Sequence, residues 1–335
     1  MEILIINTTD KKYGGNIYQK MIAEVLSGNI DIKFINVGTK NVGELRYLEA
    51  PLILWRIFKI SRRKDFDIVI RNFEASLFRN KEPVKNIAII HHIDSSCSPT
   101  FLKITYPFLE KIILRNLKRF DAIVTVSQYW KNYFKKRGYE NVYIIYNAFN
   151  INEFIFSDEE ISEFKKKFNL LEKPIIYLGN CQRGKGVVES YYALRSLHAH
   201  LVTSGNPQVK IPAKNLRIDY RNYLRLLKAS SVTVAMSKFK EGWCRTAHEA
   251  MLCKTPVIGS GMGGMRELLE GGKQMICSNF DSLRGKVKYL LNHPEIRKEM
   301  GEDGYSFAKN FTMEKFGEEW KKLIKNLFKD SRINN

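Results

Sequence analysis

The residues best suited to binding or catalysis are two glutamates, Glu241 and Glu249, which stand eight positions apart within residues 238–271. Glu241 lies in a predicted loop that contains glycine, and Glu249 lies in a short helix predicted over residues 245–253. A loop and the helix that follows it can direct two carboxylates at one ligand. An ordinary surface loop explains either glutamate taken singly, so the prediction of a ligand site depends on the pair.

A glycine-dense turn follows the predicted helix. Residues 255–258 have the pattern of a buried strand, and four glycines come between this strand and a new helix predicted from Met265. Gly263 and Gly264 allow the backbone to come close to a ligand. The N–H groups at the start of a helix favour an anion, so the turn predicts an anion-binding surface in the same stretch as the two glutamates.

Eight positions of this stretch match a known signature in order. The matches are Glu241-Gly242, Glu249-Ala250-Met251 and Pro256-Val257-Ile258, and the departures are Trp243, Cys244 and Lys254. The stretch therefore resembles the E-x7-E signature of the retaining glycosyltransferases of family 4, usually written E-G-F-G-L-x-x-x-E-A-M-A-x-G-x-P-V-I. The similarity extends over nearly the whole chain and is densest over residues 174–270.

The resemblance implies a fold and an activity. The fold is α/β, with two Rossmann-like domains facing a cleft, which is called the GT-B fold. The activity is hexosyltransferase-like: a sugar moves from a nucleotide sugar, UDP- or GDP-linked, to an acceptor hydroxyl, with retention at the anomeric carbon. The nucleotide sugar is a substrate, and neither a metal nor another cofactor is expected.

A second loop carries the basic residues that such a donor requires. Residues 179–186 follow a predicted strand and contain three glycines together with Arg183 and Lys185. A glycine-rich loop with Arg and Lys between a strand and a helix suits a diphosphate, although a solvated basic turn has the same composition. The family pattern G-R-x-x-x-x-K-G matches at Lys185. Asn180 stands where the pattern has arginine, so either Arg183 substitutes or one phosphate contact is missing.

The first domain has two candidate features at predicted strand ends. Gly14 and Gly15 stand between the first strand and its helix, where a glycine pair suits close approach of a phosphate or a sugar. His91 and His92 follow the strand predicted over residues 86–90, at the edge where open α/β sheets bind ligands. Adjacent strand residues point to opposite faces, so we expect one histidine at the site, and the resemblance favours His91. A structural histidine is the alternative for each.

The resemblance assigns a role to each candidate. Lys185, with Arg183, would stabilise the leaving diphosphate, Glu249 would accept hydrogen bonds from the donor ribose, and Glu241 would hold the sugar ring. The catalytic candidates are His91, His92, Lys185 and Glu241. The donor-binding candidates are Gly14, Gly15, Arg183, Lys185, Gly242, Glu249, Gly263, Gly264 and Met265.

Strand-like and helix-like segments alternate from end to end, which predicts an α/β protein with parallel sheets. We expect the first domain over residues 1–150 and the nucleotide-sugar-binding domain over 151–311. The tail, residues 295–328, has a helical pattern throughout, and the resemblance implies that its last part, within residues 312–335, returns to pack on the first domain.

The composition limits the class of protein. The chain has 335 residues, 44% of them hydrophobic, which is typical of a folded globular protein with two cores. Its five cysteines are widely spaced and contain no C-x-x-C pair, which favours reduced thiols over a disulfide framework or a zinc site. The first residues have no signal-peptide pattern, and no apolar run approaches the 18–20 residues or so that span a bilayer. We therefore expect a cytoplasmic protein, soluble or peripheral on a membrane.

The positive charge is concentrated in the first domain. The net charge is +20, and residues 51–137 contain 18 Lys and Arg against 7 Asp and Glu. Within them, the helices predicted over 51–64, 101–119 and 128–137 combine basic residues with large apolar or aromatic ones. This combination suits the anionic cytoplasmic face of a membrane, with a lipid or lipid-linked saccharide as acceptor. Ordinary core faces and solvated lysines are the competing explanation.

Three other functions fit part of these observations. A sugar-nucleotide epimerase or a phosphorylase can share the GT-B fold, but the register from Glu241 to Ile258 favours a transferase. A catalytically inactive family member is consistent with two departures from the family: Asn180, and Ala148, which stands where family members commonly have the glycine of N-G-V-D. A nucleic-acid-binding protein would explain the charge, but the sequence contains no recognised binding motif, and we expect no nucleic acid partner.

Overall fold

The computed structural model of the protein describes residues 1–8, 14–28, 30–38, 49–93 and 102–329. The described residues form two compact units. The first is built from Met1–Ala148 together with Met313–Asn335, and the second from Phe149–Thr312.

Each unit contains a parallel sheet in which six strands are described. The first sheet has β1 (Glu2–Asn7), β2 (Asp31–Asn36), β3 (Ile68–Arg71), β4 (Lys85–Ile90), β5 (Ala122–Thr125) and β6 (Val142–Ile144). The second has β7 (Ile175–Asn180), β8 (His200–Ser204), β9 (Lys214–Leu216), β10 (Val232–Ala235), β11 (Val257–Gly259) and β12 (Met275–Ile276). The spatial orders are β2-β1-β3-β4-β5-β6 and β12-β11-β10-β7-β8-β9.

Helices connect the strands and also follow the last of them. They are α1 (Gly14–Leu26), α2 (Ala50–Ser61), α3 (Leu102–Leu117), α4 (Gln128–Lys135), α5 (Asp158–Lys167), α6 (Val187–Leu194), α7 (Tyr220–Ala229), α8 (Arg245–Leu252), α9 (Met265–Gly271), α10 (Leu283–Asn292), α11 (Pro294–Ala308) and α12 (Met313–Lys329). The α/β class with parallel sheets, as predicted from the alternating pattern, is confirmed.

Continuous apolar runs form the central strands. In β1, the four residues from Ile3 to Ile6 are completely buried, and in β7 those from Ile175 to Leu178 are buried as well. Ile3 pairs with Ile32 on one side and Ile68 on the other. A parallel sheet covered by helices on both faces requires such runs, because neither side of the strand meets water.

The helical tail expected over residues 295–328 consists of two helices, α11 and α12, and the second lies within the residues 312–335 expected for the last helix. Phe311 and Thr312 lie between α11 and α12, outside either helix. The carbonyl oxygen of Phe311 accepts a hydrogen bond of 3.0 Å from the Phe149 N–H, and Thr312 forms a β-bridge with the same residue. A partner distant in the sequence thus interrupts a segment whose local pattern is helical.

The last helix belongs to the core of the first unit. Phe316 and Trp320 of α12 are buried, and both make edge-on ring contacts with Tyr18 of α1, at centroid distances of 5.0 and 6.3 Å. Gly317 lies directly above Val25, where a Cβ would come within 3.1 Å of the valine side chain. The absence of a side chain at Gly317 therefore allows the two helices to pack closely.

The helices expected over 51–64, 101–119 and 128–137 are present but end earlier, at Ser61, Leu117 and Lys135. Within the described parts of the chain, none of the helices has the length and apolar character needed to cross a membrane.

Candidate active site

Three neighbouring strands of the second sheet, β7, β10 and β11, lead into the loops that contain the predicted donor residues. These loops span residues 181–186, 236–244 and 260–264. The chain order of the sheet reverses between β10 and β7. In open α/β sheets, ligands bind outside the carboxyl ends of the strands at such a switch point.

The first two loops are held together by their backbones. The N–H of Lys238 donates to the carbonyl oxygen of Gly184 at 2.9 Å. Gly186 has a φ of +69°, and a Cβ at this position would overlap the carbonyl oxygen of Met236. Only glycine fits this left-handed conformation and close approach. The turn that carries Lys185 is therefore fixed against the loop that carries Glu241.

Lys185 and Glu241 form an ion pair at this junction. The Lys185 Nζ lies 2.5 Å from Oε1 of Glu241, and the Ser237 hydroxyl donates to the same oxygen at 2.5 Å. Glu241 is only 6% exposed, whereas the Lys185 side chain remains 28% exposed. A buried carboxylate is thus paired with a cation that retains contact with solvent.

The third loop is joined to Glu241 through its main chain. The Glu241 N–H donates to Met262 at 3.2 Å, and the Gly264 N–H donates to the Glu241 carbonyl at 2.9 Å. Gly263, with a φ of +70°, lies so close that a Cβ would be 2.5 Å from the Glu241 carbonyl oxygen. The structure therefore brings Lys185, Glu241 and the Gly263–Gly264 turn together.

Three more of the predicted donor residues lie in these loops or directly after one of them. Arg183 begins the turn that ends at Lys185. Gly242 is buried directly after Glu241. Met265 is the first residue of α9, with a buried side chain.

Glu249, which is 4% exposed, has a different environment. Its Oε1 accepts hydrogen bonds from the Tyr220 hydroxyl at 3.3 Å and from Arg245 at 3.2 Å, and its Oε2 accepts one from the Tyr223 hydroxyl at 2.9 Å. Burial raises the pKa of Glu249, while Arg245 and the two hydroxyls oppose this increase. Its carboxylate is therefore held in a fixed, buried orientation.

Sequence reasoning missed the partners of the two glutamates. They are Ser237 for Glu241, and Tyr220, Tyr223 and Arg245 for Glu249. Arg245 stands four residues before Glu249 in α8, a spacing that indicates an ion pair on one helix face. Tyr220 and Tyr223 share one face of α7, but the sequence contains no signal that this face meets α8.

The predicted residues of the first unit form a separate group. Gly14 and Gly15 are the first two residues of α1. The His91 ring lies against this helix: a Cβ on Gly15 would come within 3.4 Å of its Cδ2 atom, and the Tyr18 ring meets it edge-on at 5.1 Å. His92 is exposed. Of the two histidines, the structure thus places His91 beside the glycine pair.

Two family models match consecutive parts of the chain. The model of glycosyl transferases group 1 matches residues 158–307, which include Lys185, Glu241 and Glu249. The model of glycosyltransferase family 4 matches residues 27–153. Together the two models match most of the chain and both describe glycosyltransferases, so the chain is a glycosyltransferase. The family predicted from the E-x7-E stretch is confirmed.

Individual proteins resemble this glycosyltransferase over most of its length. An uncharacterised glycosyltransferase of Methanocaldococcus jannaschii is 24% identical over 84% of this chain and 83% of its own. The N-acetyl-α-D-glucosaminyl L-malate synthase of Bacillus anthracis is 23% identical over 68% and 65%. The crystal structure of Anabaena HepE with UDP-glucose has a TM-score of 0.77 at 16% identity, covering 98% of this chain and 100% of that one. The GT-B fold predicted from the sequence is confirmed.

Cys244 of the glycosyltransferase replaces the second glycine of the E-G-F-G pattern. It lies at the N-cap of α8 with φ +70° and ψ 73°, in the left-handed region. This conformation costs a residue with a side chain about 1–2 kcal/mol relative to glycine. Burial raises the pKa of its thiol to about 12, so the thiol is neutral at neutral pH. The departure therefore preserves the backbone turn that a glycine would form.

Asn180, where the glycosyltransferase pattern has arginine, belongs to a neutral cluster. Its Oδ1 accepts a hydrogen bond from the Ser204 hydroxyl at 3.1 Å, and that hydroxyl also pairs with Tyr177 at 2.6 Å. The position therefore contributes no positive charge. The cations of this loop are Arg183 and Lys185.

Proposed function

We propose that this protein is a retaining, hexosyltransferase-like enzyme that transfers a sugar from a nucleotide sugar to an acceptor hydroxyl. The observation that carries the proposal is the 2.5 Å pair of Lys185 and Glu241 at the switch point of the second sheet. It provides a cation and a carboxylate where phosphate and sugar groups bind in such folds. The crystallisation of HepE with UDP-glucose supports a nucleotide sugar as donor, and we propose one that is UDP- or GDP-linked.

Lys185 is the proposed source of transition-state stabilisation. The leaving diphosphate gains negative charge as the anomeric carbon becomes oxocarbenium-like, and a cation positioned there lowers the barrier. Because the Lys185 side chain is 28% exposed, its ammonium can exchange Glu241 for a phosphate oxygen. Glu241 then becomes available to the hydroxyls of the sugar ring. Arg183 adds positive charge from the same turn, and this step requires no metal.

Glu249 is the proposed acceptor for the ribose hydroxyls. An ionised carboxylate accepts about four hydrogen bonds. Three protein donors already contact Glu249, and the longest of these contacts, 3.3 Å, comes from Tyr220. A ribose therefore uses the remaining acceptor position and replaces the weakest protein donor. The N–H groups at the Gly263–Gly264 turn would complete the donor pocket.

In the first unit, His91 is the proposed contact to the donor sugar or the acceptor. Its ring is fixed between Gly15 and Tyr18 at the first turns of α1, so the imidazole and the helix N-terminus are presented together. His92, which follows it and is exposed, is the second candidate.

A panel of UDP- and GDP-linked hexoses tests the proposed reaction. We expect slow hydrolysis of at least one donor, with the anomeric configuration of the released sugar the same as in the donor by NMR. Lys288→Ala, which removes an exposed lysine of α10, is the matched control for Lys185→Ala and should leave hydrolysis unchanged. Conversion of the donor to its epimer would favour an epimerase instead. Donor binding without turnover would favour an inactive family member.

For the acceptor, we propose a lipid or lipid-linked saccharide at an anionic membrane surface. Helix α2 buries Ile57 and Ile60 but exposes three large apolar residues, Leu52, Trp55 and Phe58, of which Trp55 is 51% exposed. The Lys59 ammonium lies 3.9 Å from the Trp55 ring centroid, and the Arg62 guanidinium lies 4.6 Å from that of Phe58. Exposed aromatic rings flanked by cations favour a membrane interface, and each cation adds about 1 kcal/mol near an anionic surface.

Co-sedimentation with vesicles tests this acceptor. Wild-type protein should bind vesicles that contain anionic lipid at low salt, and binding should weaken as salt rises. It should also weaken when Lys59, Arg62 and Arg63 are replaced by serine. Arg56 is left unchanged, because it donates to the carbonyls of Val37 and Gly38.

Replacement of Lys321, Lys322 and Lys325 on the exposed side of α12 by serine removes the same charge and is the control. Equal loss in both triple variants would show a non-specific charge effect. A wild-type protein that stays in the supernatant would favour a small soluble acceptor, such as the name of the Bacillus anthracis relative implies for that enzyme.

A further inference from the structure

Tyr220 differs from the other residues around Glu249. It is the first residue of α7, and its side chain is 44% exposed although its hydroxyl is 3.3 Å from the Glu249 carboxylate. Tyr223, one turn later, donates to the other carboxylate oxygen from a more buried position and packs against Tyr177. Among the described residues that contact Glu249, Tyr220 therefore combines an accessible aromatic ring with a hydrogen bond to the proposed ribose acceptor.

The start of α7 is rigidly anchored. The Asp219 side chain caps the helix by accepting from the Asn222 N–H at 2.8 Å. Arg221 donates to the carbonyl oxygens of Glu153 and Ile155 at 2.7 and 3.1 Å. These contacts fix the backbone on both sides of Tyr220, so little conformational freedom is lost when a ligand packs on its ring.

We propose that Tyr220 is the platform on which the base of the nucleotide donor stacks; this inference rests on the proposed function of Glu249. In a nucleoside, the base and the hydroxyls are attached to the same ribose ring. A ribose held by Glu249 therefore brings its base within reach of an aromatic ring whose hydroxyl touches the same carboxylate. Stacking on an aromatic ring accepts any base, so Tyr220 supplies affinity for the nucleoside, and the choice of base depends on other groups.

The hydroxyl and the ring of Tyr220 then have opposite effects on the donor. The hydroxyl occupies Oε1 of Glu249, which it shares with Arg245, and competes with a ribose hydroxyl for this oxygen. The ring provides the stacking surface. Removal of the hydroxyl alone should therefore leave donor affinity unchanged or increase it, whereas removal of the whole ring should decrease it.

Calorimetric titration of three variants with UDP, GDP and inorganic pyrophosphate tests the inference. Tyr220→Ala should lower the affinity for UDP and GDP about tenfold or more, the usual effect of a lost base–aromatic stack. It should leave the affinity for pyrophosphate unchanged, because pyrophosphate has no base. Tyr220→Phe should bind UDP at least as tightly as the wild type, and Tyr220→Trp should retain binding through its larger ring.

Tyr289→Ala is the matched control, since Tyr289 of α10 is 45% exposed and lies outside the proposed site. The inference is overturned if Tyr220→Ala binds UDP like the wild type. It is also overturned if Tyr220→Phe loses as much affinity as Tyr220→Ala, which would mean that the hydroxyl acts by orienting Glu249. A wild-type protein that binds no nucleoside diphosphate would reject the proposed function itself, and the base platform with it.

Discussion

The two glutamates of the signature are almost equally buried, yet their surroundings differ in kind. Glu241 is paired with one lysine that reaches solvent and with one hydroxyl. Glu249 is held by an arginine of its own helix and by two tyrosines of α7. The first arrangement can exchange its cation for a ligand group during a reaction, whereas the second presents a fixed acceptor. We therefore expect perturbations at Glu241 to act mainly on turnover, and those at Glu249 mainly on binding.

The largest expected effect is on turnover. Lys185→Ala should lower kcat by about 100-fold or more with a smaller change in KM, because the positive charge acts on the leaving group mostly in the transition state. Steady-state kinetics with the preferred donor measure this, with Lys288→Ala as the control. If KM rises and kcat is unchanged, Lys185 only helps to bind the donor, and the contrast between the two glutamates fails.

Replacement of the fixed acceptor should weaken binding. Glu249→Ala removes the acceptor of the ribose hydroxyls, at a cost of about 1–3 kcal/mol, and donor affinity should fall about 5- to 150-fold. Calorimetry with UDP measures this loss. Because Arg245 loses the carboxylate of its ion pair in this variant, thermal unfolding should be recorded in parallel. Wild-type affinity in a folded Glu249→Ala protein would contradict the assignment.

A smaller effect of Glu249 should appear in the pH dependence of donor affinity and of stability. Burial raises the pKa of Glu249 above the value of 4.5 for an ordinary glutamate. Only the ionised carboxylate accepts both ribose hydroxyls, so donor affinity should begin to fall at a higher pH than an unperturbed glutamate would give. The same shift makes the ionised form less compatible with the fold, so the contribution of Glu249 to stability is greatest below its unfolded pKa and is lost as pH rises through its folded pKa.

Comparison of the wild type with Glu249→Gln isolates the contribution of Glu249 to the pH dependence of donor affinity and of stability. The variant should lack both the acidic loss of affinity and the corresponding slope of stability with pH. An identical pH profile in the two proteins would assign the titration to another group.

The smallest expected effect is none. If Lys185 and Arg183 supply the positive charge at the diphosphate, activity should be unchanged by EDTA. If chelation abolishes turnover and a divalent ion restores it, a metal ion rather than Lys185 stabilises the leaving diphosphate. The donor panel described above, run with and without EDTA, measures this directly.

Sequence reasoning was most successful where one short stretch determines the outcome. The parallel sheets follow from the apolar runs, and the E-x7-E stretch identified the family and the GT-B fold. The same stretch and the glycine-rich loop contain Lys185, Glu241 and Gly263, which the structure brings together. Their catalytic and binding roles remain predictions.

The remaining features depend on contacts between distant elements. Tyr220 and Ser237 contact the glutamates because loops and helices meet in three dimensions, which no local pattern shows. The division of the helical tail depends on Phe149, far from it in the sequence. In α2, the stripes through Ile57 and through Trp55 are both apolar, so periodicity alone could not determine which of them is buried.

The packing of α12 has a consequence for the order in which the protein forms. Trp320 and Phe316, part of the core of the first unit, leave the ribosome only after the entire second unit has been synthesised. At about 5–20 residues per second, the first unit waits on the order of ten seconds for these two aromatic rings. The second unit is contiguous in the chain and can fold while the first is still incomplete. A nascent chain arrested before α12 should therefore contain a protease-resistant second unit and a protease-sensitive first one.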